Sequence, residues 1–110
     1  MYTQGFVPSM SDIITIGTVF TSTISGVVTP VIASYITVGT GGGGDLVWMN
    51  YKGDLQFTPG LIAGQTYVLG AVKIVASGTV NGVARTTTAG GTTGSLSYQA
   101  SNTYPQATTL

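Results

Sequence analysis

The chain has 110 residues, with three basic and three acidic side chains, no histidine, no cysteine and a formal net charge of zero. Charged residues make up 5% of it, where about 25% is usual. So few charges of mixed sign cannot neutralise a run of phosphates, which excludes nucleic acid as a partner and disfavours an anionic membrane surface. Disulfides and thiolate metal sites are excluded as well.

A chain of this length reads as one domain and buries roughly 65% of its unfolded surface, enough for a core without metal or disulfide staples. Hydrophobic residues are 43% of the sequence, too many for a disordered chain. Polarity comes from Thr, Ser, Gly, Asn and Gln rather than from charge, and Thr and Val share the branched shape that suits pleated sheets.

Along the chain, Met1–Ser11 carries Gly5 and Pro8, shows no period and reads as an arm. Ile13–Phe20 is rich in β-branched residues and predicts a strand. Gly26–Pro30 is a short extended piece, with Pro30 marking an edge or a bend, and Val31–Val38 is the next strand. The run from Gly39 to Gly44 reads as a hinge or loop; no Gly-Lys-Ser/Thr follows it, so a phosphate cradle is not indicated. Leu46–Tyr51 and Leu55–Phe57 flank Lys52-Gly53-Asp54 as a hairpin. Thr66–Ala76 is the longest strand candidate, with a bend at Gly70, and Asn81-Gly82 between Val80 and Val83 signals a type I′ hairpin. Ser95–Gln99 gives a last short strand, and Ser101–Leu110 reads as a tail. No segment has a helical period and no stretch is long and apolar enough to span a membrane as a helix.

These elements predict an all-β fold, a small antiparallel β-sandwich (jelly-roll-like) or barrel. The β domain covers 12–100, with extended terminal arms at 1–11 and 101–110. Without His or Cys, the commonest nucleophile–base pairs are missing. Asp45 and Asp54 can approach across the proposed hairpin, but their turn positions favour a structural role over acid–base or calcium chemistry. Trp48, Tyr51 and Tyr67 suit either sugar stacking or packing at a core or subunit interface, and the apolar neighbours of Trp48 favour burial. Arg85, beside a run of threonines, reads as a polar contact rather than a ligand clamp.

Four stretches carry a resemblance: Gly44-Asp45-Leu46-Val47, Gly53-Asp54-Leu55-Gln56-Phe57, Leu61–Leu69 with its Ala63-Gly64 turn, and Lys73–Val80 with Ala76-Ser77-Gly78-Thr79. In these the chain resembles the head decoration (cement) and head-spike base proteins of tailed bacteriophages. The resemblance implies a virion component with no catalytic residues and no cofactor, partnered by copies of itself and by a major capsid protein or another virion protein.

The expected function is therefore a non-enzymatic virion structural protein acting as a homo-oligomer, a trimer first, because near-zero charge and apolar groups on both strand faces favour association. Phe6, Val7, Trp48, Tyr51, Tyr67 and Tyr104 are the expected interface residues. A carbohydrate-binding module of a receptor-binding fibre and a self-assembling surface filament are the alternatives.

Overall fold

The computed structural model describes residues 6–91 and 95–103, with side chains over 13–23, 25–91 and 95–100. Every regular element among them is a strand: β1 (Phe6–Ile13), β2 (Thr21–Ile24), β3 (Val27–Val38), β4 (Gly44–Asn50), β5 (Leu55–Leu61), β6 (Thr66–Val75), β7 (Ser77–Val80), β8 (Val83–Thr86) and β9 (Leu96–Thr103). The protein is all-β. Its main sheet has seven strands in the order β1-β9-β3-β6-β4-β5, with β2 added beside the first half of β3, while β7 and β8 form a separate two-stranded sheet. All pairings are antiparallel.

The core lies on one face of the main sheet. Residues directly opposite each other share a face, and Ala33 opposite Ala100, Ile36 opposite Tyr98 and Val38 opposite Leu96 set that face across β3 and β9. Leu46 and Ile74 extend it into β4 and β6, and all of these side chains are buried in one cluster. Phe20 stacks on Tyr98 with ring centroids 4.4 Å apart, and the Tyr98 hydroxyl donates to the Thr21 carbonyl at 2.6 Å.

The segment from Ile14 to Phe20 is where the structure departs most from the sequence reading. It is not a strand. Gly17 takes φ +88°, and the segment turns and runs along the flank of β6 that β3 leaves open. Gly17 N donates to Ile74 O at 2.7 Å and Phe20 N to Val72 O at 2.9 Å. This crossing pairs part of the backbone, while Ile16 and Val19 stay exposed. The strand expected from Val31 starts earlier, at Val27, and Pro30 sits inside it opposite Thr21 of β2. At the chain ends, the sequence reading stopped the sheet at 12 and 100, whereas β1 begins at Phe6 and β9 runs to Thr103. β1 is an edge strand, the position that tolerates Pro8.

The glycine run is a packed joint rather than a hinge. Gly42 is buried, and Gly90 N donates to Gly42 O at 2.6 Å. Gly44 has φ +150°, and a Cβ there would lie 2.5 Å from Thr88 Oγ1 and 2.9 Å from Ala89 N. Only glycine lets the chain after β8 approach this closely. Thr88 N and Ala89 N both donate to Asp45 O at 2.9 Å, and Ala89 enters the core cluster.

Candidate interface

The sheet face opposite the core is divided in two. Val47 of β4 faces Phe57 of β5 and Val75 of β6, and Met49 faces Leu55 and Lys73. This register puts all six side chains on the outer face. After Ala76 the chain folds back, and the β7–β8 hairpin lies over them. A Cβ on Gly78 would meet Leu55 Cδ1 at 2.5 Å, and the Arg85 guanidinium carbon sits 4.4 Å from the Phe57 ring centroid, within cation–π range. Thr87 Oγ1 fastens the hairpin's exit. It accepts from Val47 N at 2.9 Å and donates to Val75 O at 2.7 Å. Val47 is 0% exposed and Val80 is 7% exposed.

The other half of that face, on β9, β3 and the first half of β6, has no such cover among the described residues. Tyr35 lies opposite Val68 and Gln99, and Thr37 opposite Thr66 and Ser97. Ile13 of β1, opposite Ser97, continues the row. Val68 is 77% exposed, Ile13 65% and Tyr35 41%. Thr37 and Thr66 share a hydroxyl–hydroxyl hydrogen bond of 3.0 Å across the strands. No charged side chain lies among these residues. The charged residues with described side chains, Asp45, Lys52, Asp54, Lys73 and Arg85, all fall on β4, the β4–β5 turn, the second half of β6 and β8, while Asp12 of β1 is paired opposite Tyr98 of the core face and its side chain lies outside the described residues.

Of the residues singled out by sequence, the three with described side chains, Trp48, Tyr51 and Tyr67, do not gather on one surface. Trp48 is half-buried against the core of its own chain, and its indole N–H donates to Thr58 Oγ1 at 3.0 Å. Tyr67 also packs on the core, and its hydroxyl accepts from Ile62 N at 2.8 Å. Tyr51 is exposed in the β4–β5 turn rather than at the end of a strand, with Lys52 Nζ 6.0 Å from its ring centroid. Phe6 and Val7 belong to β1, but their side chains lie outside the described residues, as does Tyr104 altogether. The residues that expose the outer face, Tyr35 and Val68, were missed. The signal for them was present, because both sit at alternate positions beside apolar neighbours, but nothing in a linear pattern says which face a later hairpin will cover.

The carboxylates are kept apart. Asp45 sits at the start of β4, where its Oδ1 accepts from Gly60 N at 3.1 Å. Asp54 lies at the opposite end of the same hairpin, where Asn50 Oδ1 accepts from Lys52 N and Asp54 N at 2.9 and 3.0 Å. No group of three metal-ligating side chains occurs among the described residues. An open groove of ≈ 350 Å³ is walled by Ile13, Ile14, Ile16, Ala89 and Leu96 with intervening Thr, Ser and Gly, none of them titratable. The chain matches no family model, no curated protein and no solved structure.

Proposed function

We propose that this chain is a non-enzymatic structural subunit that packs against copies of itself on a virion, as a head decoration or head-spike base protein of a tailed bacteriophage. The observation that carries self-packing is the half of the outer sheet face whose described side chains are uncharged and uncovered by any described residue, in a chain whose net charge is zero. Such a face meets its own copy without stranding a charge away from water. The virion assignment rests on the likeness of the Gly44–Val47, Gly53–Phe57, Leu61–Leu69 and Lys73–Val80 stretches to decoration and spike-base proteins. The engagement of the Trp48 indole by Thr58, inside the chain, favours a structural role for this side chain over sugar stacking.

The test is the mass of the native species in solution, alone and after sedimentation with empty capsid shells of candidate tailed phages. The expected outcome is a homo-oligomer that co-sediments with one kind of shell. A monomer that binds no shell but is retained by an immobilised glycan overturns the proposal in favour of a carbohydrate-binding module. Growth of open fibres without shells favours the filament reading.

A further inference from the structure

The outer face offers one layer above the main sheet, and the β7–β8 hairpin fills only part of it. The part over β4–β5 is closed by Val80, Gly78 and Arg85 of the hairpin. The part over β1, β9, β3 and the first half of β6 shows Ile13, Tyr35 and Val68, with Thr37, Thr66 and Ser97 between them. Stacked sheets pack about 10 Å apart, so the hairpin and anything seated beside it occupy the same layer.

We infer that the occupant of the part left open by the described residues is the same half-face of a second copy, turned about a two-fold axis. This rests on the self-packing reading and names the surface it uses. Three features point to a second copy. The face carries no charge among its described residues, so a like face is an electrostatic match, whereas a charged partner would lose its hydration without gaining a counterion. The area is that of a weak contact: four strands about 4.8 Å apart and at most about seven residues long at about 3.3 Å each give a flat footprint of no more than roughly 440 Å² per copy. Two footprints fall short of the roughly 1,000 Å² of a stable interface and suit an association that a concentration series reveals. Finally, Thr, Ser and Tyr in flat rows keep hydroxyls able to pair across a two-fold contact, the isologous arrangement in which one patch serves both partners. An isologous face gives an even number of subunits, where the sequence reading puts a trimer first.

The experiment compares the full chain with Val68→Lys by sedimentation velocity over a concentration series, with Val83→Lys on the exposed side of the hairpin as control. The expected result is a dimer, or an even multiple, for the parent and for Val83→Lys, and association weakened about a hundredfold or more in Val68→Lys, because the lysine would be buried unpaired. A second readout does not depend on tolerating a charge. The chain has no cysteine, so Val68→Cys introduces one thiol, whose alkylation should slow at least about tenfold on going from dilute to concentrated protein. Val83→Cys should show no such change. An oligomer indifferent to Val68→Lys with an unprotected Val68→Cys thiol, or an odd-numbered oligomer, overturns the face assignment and leaves self-packing standing. A parent chain that stays monomeric at all concentrations overturns both.

Discussion

The two halves of the outer sheet face are built from the same strand and end in opposite states. β6 supplies Val68 to one half and Val75 to the other, and both are valines on the same side of the same sheet. Between them the strand is irregular: its register shifts against β3 between Val68 and Ala71, and against β4 between Ala71 and Lys73. Past that point the chain returns through Ala76 as a hairpin that covers Val47 and Phe57. Before it, nothing described covers Val68. The difference shows that burial in this fold is decided by where one short hairpin lands and not by residue type. It also explains the charge distribution. Lys73 and Arg85 sit at or on the hairpin-covered half, where cover within the chain leaves room for charges at its rim, while the described side chains of the open half are Thr, Ser, Gln, Tyr and aliphatic groups.

The largest expected effect comes from unseating the joint that delivers the hairpin. In Gly44→Val, the new side chain meets Thr88 Oγ1 and Ala89 N within 3 Å, at a φ of +150° that side chains rarely adopt. The displaced atoms include backbone, which has no rotamer to escape into. Overpacking and backbone strain together should cost about 3–5 kcal/mol, measured by urea denaturation, with the covered half losing amide-exchange protection first. Equal loss of protection over both halves would show that the hairpin is not a separable cover.

A paired substitution sharpens the comparison directly. Val47→Ala removes two methyl groups from a fully buried site beneath the hairpin and should cost about 2–3 kcal/mol. Val68→Ala at the open site should change the stability of the dilute chain by less than about 0.5 kcal/mol. At concentrations where copies associate, the Val68→Ala effect should grow, because stability then includes the contact. Similar values for the two variants in dilute solution would mean that the open half is covered after all.

How much of this was legible in the sequence depended on whether the signal was local. Asn81-Gly82 was read as a type I′ turn, and both residues take positive φ, 51° and 80°. The Lys52-Gly53 turn was also located, since Gly53 takes φ +89°, although Asn50 rather than the turn's own Asp supplies the side-chain acceptor. Alternation placed β3, β4 and β6. Two readings failed for non-local reasons, the Ile13–Phe20 strand and the hinge side of the hinge-or-loop reading of the glycine run. Ile13–Phe20 has strand composition, but its backbone partners are Leu96, Val72 and Ile74, none visible from the segment itself. The glycine run looked flexible because the atoms that crowd it, from Ser95, Leu61, Thr88 and Gly90, come from elsewhere in the chain.

The smallest predicted effect concerns a second two-residue hairpin, β2–β3, that the sequence reading passed over. Ile24 pairs with Val27, leaving Ser25-Gly26 as the turn, and these residues take φ 51° and 81°, nearly the angles of Asn81 and Gly82. The two turns have the same geometry, but one spells it with the residue that favours positive φ and the other with serine, which disfavours it. Ser25→Asn should therefore stabilise the chain by about 0.4–1 kcal/mol, and Asn81→Ser should destabilise it by a similar amount. Thermal unfolding of the two variants and of the double exchange measures this. The double exchange should return near the parent value, because the turns are separate and their effects should add. If Ser25→Asn gives no gain while Asn81→Ser gives a loss, then the β2–β3 turn is held by its flanking strands rather than by its own residues, and of these two turns the one over the covered half alone depends on its turn residue.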